Sequence, residues 1–546
     1  MAVSPSLWYQ NAIFYELNVR AFGDSNGDGQ GDLRGTIGHL DYLQDLGVDC
    51  IWLLPVYPSP LRDDGYDVAD FCAIHPDYGT LDDFKALVSA AHERGLRVIT
   101  DLILNHTSDQ HPWFQAARAG RTSPQRDFYV WSDTDRKYAE ARVIFIDTEP
   151  SNWTFDPISG QYYWHRFYSH QPDLNYDHPP VQQAMLDVVR FWLDLGVDGF
   201  RADAVPYLYE REGTSCENLP ETHAYLKRLR ALLDADYPGR ILLCEANQWP
   251  EDTRAYFGNG DEFHLAFHFP LMPRIFLALA RSDRQPIVEI LTRTPPIPET
   301  CQWCTFLRCH DELTLEMVTP EERTFLWEYY APEPRMRLNL GIRRRLAPLL
   351  GNDRRRIELA NSLLFTLPGT PVIYYGDEIG MGDNIWLPDR NGVRTPMQWS
   401  ADPNAGFSTA PAERLYSPVI DDPVFGYHTV NVAAQRADPR SLYHTLRRMI
   451  HVRKQQPALG AGDFQVLEST PSAVLAYRRR LGSDTVLAVN NLSDSPQQLA
   501  LDIGTPQAGG LRDLLEGTLI VATSGAPVTL HLDPFGYRWL KWESQP

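Results

Sequence analysis

The chain has 546 residues, with 71 acidic against 50 basic side chains and a formal charge of −21. A surface this acidic repels nucleic acid and anionic membrane but is compatible with a neutral substrate such as a sugar. The length exceeds one ordinary domain and suits a large barrel with an accessory module, and a hydrophobic content of 43% supplies the core.

Apolar, β-branched runs recur at intervals that fit alternating strands and helices. They predict strands at about 12–20, 50–56, 97–104, 199–203, 241–245, 262–268, 305–309 and 371–375. The clearest helix spans 80–94, with Thr80 as N-cap, Asp83 at the capping-box position, and Phe84, Leu87, Val88 and Ala91 on one face. Eight such units close into a (β/α)8 TIM barrel whose active site lies at the C-terminal strand ends. Two stretches break the rhythm: an aromatic-rich insertion at 107–172, ahead of a helix at 181–195, and a charged one at about 315–355 after the seventh strand. Insertions on that rim are lids or substrate subdomains. The runs Arg343-Arg-Arg345 and Arg354-Arg-Arg356 read equally well as a solvated helical face. The barrel then takes 1–106 and 173–455, and short alternating runs over 456–546 predict an antiparallel β-sandwich.

Seven cysteines in so long a chain exclude a full disulfide framework. Cys301-Gln-Trp-Cys304 has C-x-x-C spacing, but it lacks a second pair for zinc and the strand-then-helix setting of a redox site. The first residues show no basic and apolar leader, and no stretch is long enough to span a bilayer, so a cytoplasmic protein is expected.

Gly199-Phe-Arg-Ala-Asp203 and Leu243-Cys-Glu245 each end an apolar run in a carboxylate, one helix-and-strand repeat apart. Adjacent strands lie ~4.8 Å apart, near the ~5–5.5 Å carboxyl spacing of retaining glycoside chemistry and short of the ~6.5–9.5 Å inverting gap. Asn105-His106 ends the third strand and His310-Asp311 the seventh. Charged and imidazole groups thus converge on one rim, where core packing does not account for them.

These four segments resemble the signature regions of the α-amylase family of glycoside hydrolases and transglycosylases. Gln171-Pro-Asp-Leu-Asn175 is similar to a further motif of its oligo-1,6-glucosidase group. Within that group, residues 144–156, Glu245-Ala-Asn-Gln-Trp-Pro250, 330–340 and Arg394-Thr-Pro-Met-Gln-Trp399 resemble the branch that interconverts maltose and trehalose. The likeness covers almost the whole chain. It implies Asp203 as nucleophile, Glu245 as general acid/base and Asp311 as a third carboxylate on sugar hydroxyls. It also implies His106 and His310 as donors to sugar oxygens, and Asp67 as the grip on the non-reducing glucose with Tyr66 stacked beneath that ring. Gln171 and Arg394 would be further contacts. Asp203 must be ionised, which Arg201 on the same strand face would favour, while burial and neighbouring acids would keep Glu245 protonated. An α-glucosidase, an oligo-1,6-glucosidase or a sucrose isomerase would keep the same catalytic set, and the insertion sequences point away from all three. Transporter-associated members of the family lack the acids and carry a membrane anchor.

Asp24-Ser-Asn26-Gly-Asp28-Gly-Gln30-Gly-Asp32 sets oxygens at alternate positions between glycines, which suits a hard cation; Gly35 at position twelve excludes an EF-hand. The loop resembles the calcium or magnesium loop after the first strand in the glucosidase group. The resemblance implies a second structural Ca2+ or Mg2+ held by Asn105, Asp173, Glu210 and the carbonyls of Tyr207 and Leu208. No organic cofactor, nucleic acid or membrane is expected. The expected partner is a small disaccharide, with a homodimer left open.

Overall fold

The computed structural model describes residues 5–467, 471–501, 509–522 and 527–544. Eight parallel strands close into a barrel in chain order: β1 (Phe14–Leu17), β2 (Cys50–Leu53), β3 (Arg97–Ile103), β4 (Gly199–Asp203), β5 (Ile241–Cys244), β6 (Leu265–Phe267), β7 (Gln302–Phe306) and β8 (Thr370–Tyr374). β8 pairs back onto β1, so the TIM barrel has no open edge. β7 lies three residues before its predicted place, at 302–306 instead of 305–309. Arg308 has already left the ladder and donates to the carbonyl of Asp311 at 2.6 Å.

The start of β4 needs a glycine. Gly199 has φ +149°, and a Cβ there would stand 2.1 Å from the Ile241 carbonyl oxygen. That close approach sets the register in which Asp101 lies beside Arg201 and Ala202 beside Cys244. The next residues, Asp203 and Glu245, therefore leave the barrel side by side, with the Glu245 amide on the Ala202 carbonyl at 3.1 Å.

Helices cover the barrel. Leu81–Glu93 begins in the expected capping box of Thr80 and Asp83 and buries Phe84, Leu87, Val88 and Ala91. Pro179–Asp194 is the helix expected at 181–195. Among the described residues no helix is long and apolar enough to cross a membrane. All seven cysteines are free, and Cys301 and Cys304 are buried.

Segment 107–172 carries a three-stranded antiparallel sheet (Trp131–Ser132, Trp153–Asp156, Gln161–Trp164). The second insertion folds as the helix Pro320–Tyr330 and a small sheet in which Gly341–Ile342 pairs with Leu313–Thr314 and Arg337–Leu338. Arg343–345 is not a solvated face. Arg345 is fully buried, donating to the Tyr375 carbonyl at 2.7 Å, and Arg344 grips Asp383 at 2.9 Å. The C-terminal unit is an antiparallel sandwich of a six-stranded and a two-stranded sheet. It docks on the helix Arg354–Thr366 through Trp539, whose indole N–H donates to the Ser362 hydroxyl at 2.9 Å.

Candidate active site

The C-terminal strand ends surround a cavity of about 140 Å³. Strand alternation aims Arg201 and Asp203 into it. One buried guanidinium then holds three carboxylates: Asp101 at 2.7 Å and Asp203 at 2.5 Å on Nη1, and Glu245 at 2.6 Å on Nη2. After Asp203 the backbone turns sharply. Ala204 sits in the left-handed region at φ +51°, and its amide donates to the other oxygen of Glu245 at 3.0 Å. Both expected catalytic acids thus share one cation and face one space.

Burial raises the affinity of Glu245 for a proton, and Asp203 and Asp311 add to it against Arg201, which leaves the group at about 7. Burial also raises Asp203; Arg201 opposes the shift and Asp101 reinforces it. For Asp311, by contrast, His310, Arg390 and Arg394 overcome burial and hold the carboxyl well below the usual range. The third acid is therefore an anion fixed between cations. Arg390 donates to one of its oxygens at 2.8 Å and Arg394 to the same oxygen at 3.0 Å.

Tyr66 and His310 stack at 5.2 Å, and both line the cavity. His106 lines it too: burial lowers its ring to about 3, and Nε2 is buried with no partner. Such a nitrogen is free for a sugar hydroxyl. Gln171 reaches the cavity and donates to Asp63 at 2.9 Å.

Two expectations change. Asp67 is not among the residues that line the cavity. It is fully buried outside the cavity, and its carboxylate accepts from the Ser59 hydroxyl at 2.8 Å and the amides of Arg62 and Asp63 at 3.1 Å each. Asp63 is the acid that faces the cavity, bridged by Arg390 at 2.6 Å and raised by burial to about 6. Arg394 likewise stands behind the site, donating to the His310 carbonyl at 2.9 Å, and of the two arginines in this segment Arg390 is the one that lines the cavity. The available signals were the three-residue spacing of Asp63 from Tyr66 and the second arginine four residues before Arg394.

The two insertions meet over the cavity. Ile144 and Phe145 line it from the first, and Thr314 and Glu316 from the edge of the second. Arg142 Nη1 pairs with Glu316 at 2.7 Å and Nε with Glu217 at 3.0 Å. The Asn339 amide donates to Asp147 at 2.7 Å. Two contacts thus join the insertions to each other.

The loop expected to bind a cation closes on itself. Asp24 accepts from the amides of Gly27 at 2.7 Å and Gly29 at 2.9 Å, and Asp28 from Gln30 at 2.9 Å. Asp32 caps Gly35 at 2.6 Å, Asn26 turns its amide to Asp28, and the Gln30 side chain turns away to Asp77. Among the described residues no three His, Cys, Asp or Glu side chains converge on a metal position. The inner set differs. Asn105 Oδ1, Asp173 Oδ2 and Glu210 Oε1 are all buried without partners. Burial raises Asp173 to about 8, and burial with Asp173 as neighbour raises Glu210 well above the carboxylate range. Unpaired buried acids beside an amide oxygen fit a hard cation. Tyr207 and Leu208 lie in the turn after β4, with Tyr209 between them and Glu210.

The alpha amylase catalytic domain family matches residues 17–315 and 342–462, and the maltogenic amylase C-terminal domain family matches 464–539. The gap at 316–341 falls on the insertion that carries Glu316 and Asn339. The chain is 62% identical over 503 residues to the trehalose synthase/amylase TreS of Mycobacterium tuberculosis, covering 91% of this chain and 84% of that protein. It is 58% identical over 547 residues to the trehalose synthase of a Pimelobacter species, covering 98% and 96%. The crystal structure of the trehalulose synthase MutB from Pseudomonas mesoacidophila superposes with a TM-score of 0.80 at 28% identity, covering 98% and 99%. Barrel, paired acids and sequence agree: the chain belongs to the α-amylase family, and within it to the trehalose synthases.

Proposed function

We propose that this chain interconverts maltose and trehalose by intramolecular transfer of a glucosyl group with retention. The observation that carries the reading is Arg201 holding Asp203 and Glu245 together inside a cavity that two clasped insertions cover. Asp203 attacks the anomeric carbon while Glu245 protonates the bridging oxygen, which gives a glucosyl ester on Asp203 and a free glucose. That glucose turns in the cavity. Glu245, now a base, takes the proton of its anomeric hydroxyl, whose oxygen attacks the ester and releases Asp203. Water at the ester would give two glucoses, as minor hydrolysis, so the cover decides the outcome.

Maltose incubated with the protein should yield trehalose, with glucose as a minor product, on chromatographic separation. Glucose alone would make the protein a hydrolase, and turnover of isomaltose only would make it an oligo-1,6-glucosidase. Arg142→Ala should raise the glucose share several-fold by opening the clasp; an unchanged share would remove the cover from the mechanism.

With Glu245 at about 7, kcat/KM should fall as pH rises through that value, because the free enzyme loses its proton donor. A profile flat across neutrality would disqualify Glu245 as the acid.

The reading includes one structural divalent cation, Ca2+ or Mg2+, held by Asn105, Asp173, Glu210 and the carbonyls of Tyr207 and Leu208. Its support is the three orphaned oxygens. When bound it supplies positive charge where the first insertion joins the barrel. The loop at Asp24–Asp32 is complete as folded and is assigned no ion.

A further inference from the structure

Glu16 on β1, fully buried and outside the cavity lining, has no part in the mechanism above. We propose that Glu16 is a positioning residue for glucosyl transfer, holding His310 as an imidazolium with its Nε2–H presented beside Asp311 to the sugar. One oxygen of Glu16 accepts twice from the same residue, from the His310 backbone amide at 3.0 Å and from Nδ1 at 2.6 Å. On the other side of the ring, Nε2 stands 3.1 Å from Asp311. A neutral imidazole donates from one nitrogen only, so a carboxylate at each nitrogen calls for the protonated ring.

The other surroundings fit. Tyr66 stacks on the ring, and Trp52 meets it edge-on at 5.9 Å. Asp101 on β3 is a further anion that faces it, and Arg394 reaches only its backbone carbonyl. Arg390 and Arg394 spend their charge on Asp311. Burial lowers the ring, but Asp311 and Glu16 outweigh it and carry it up to about 10. The other Glu16 carboxylate oxygen is buried and unpartnered, so among the described residues this side chain bonds only to His310. A buried charge is costly unless something uses it. Residues 14, 15 and 17 of the same strand are Phe, Tyr and Leu, and all are buried.

The inference rests on glucosyl transfer at Asp203 and not on which hydroxyl receives the group. α-D-Glucosyl fluoride separates the two, because fluoride departs with little help from a proton donor and its release bypasses the titration of Glu245. Glu16→Gln keeps the shape and an acceptor oxygen but removes the charge. The parent should release fluoride steadily up to about pH 9, below the titration of His310. In Glu16→Gln the alkaline limb should move down by at least about one pH unit, with the rate at about pH 6 kept within roughly threefold. Glu16→Asp should restore most of the limb. A limb in Glu16→Gln that coincides with the parent's overturns the proposal, whatever happens to maltose. If that variant does not fold, His310→Gln provides the second test. Its fluoride release, though slower, should lose the alkaline limb; persistence of that limb would show that it never belonged to His310, and the proposal falls.

Discussion

Asp203→Asn will fold as the parent does and convert maltose at least about 10⁴-fold more slowly, roughly 5.5 kcal/mol of transition-state stabilisation at 1.36 kcal/mol per factor of ten. The amide keeps the volume and an acceptor for Arg201 Nη1, so the packing around β4 has no reason to change. What is lost is the nucleophile. A neutral amide oxygen does not form the ester from which the second sugar hydroxyl takes the glucosyl group. Stability should hold or rise slightly, because burial raises the proton affinity of Asp203 and makes its ionised form costly. Maltose turnover measured beside the thermal midpoint checks both halves. A variant within tenfold of the parent would remove Asp203 from its role.

Chelation of divalent cations will destabilise the folded chain by about 3–5 kcal/mol, the range for a buried charge stripped of its partner. The loss will grow with pH. Without the ion, Asp173 titrates near 8, above its unfolded value of 3.8, so the folded chain binds more protons than the unfolded one between those values. Stability of the chelated protein therefore falls as pH rises through that window, and Glu210, raised in the same direction, adds to the fall. With the ion bound the carboxylates are already ionised, and the fall is absent. Thermal midpoints at several pH values, with and without chelator, read the difference directly. Asp173→Asn should abolish the response. If it responds as the parent does, the ion sits elsewhere and the Asp24 loop returns as its site.

The barrel and the placement of the paired acids at its rim were legible because both depend on short-range rules. Apolar runs that end in a carboxylate place Asp203 and Glu245 at strand ends, and the Thr80 cap is local chemistry between neighbours. What misled was handedness. Acids flank Tyr66 at 63 and 67, and spacing alone does not say which one faces the sugar. Asp64 at φ +48° and Gly65 at φ +105° reverse the chain between them, turning Asp67 onto Ser59 and leaving Asp63 toward the cavity. A helical turn at Asn391–Val393 separates Arg390 from Arg394 in the same way. The burial of Arg345 and the pairing of Arg344 were not readable either, because their partners Tyr375 and Asp383 lie thirty or more residues away. Glu16 carries no local signal, because His310, four residues beyond β7, meets it only in the folded barrel.

On the proposed mechanism, the contacts of Arg142 with Glu316 and of Asn339 with Asp147 would also act as a timer. In that mechanism a glucosyl ester waits on Asp203 while the released glucose turns in the cavity. If the clasp stays shut longer than that turn takes, the same sugar is recaptured; if it springs sooner, solvent arrives first. Disaccharide yield is then a race between two clocks, and one of them is built from contacts that water and salt can reach, outside the catalytic acids altogether.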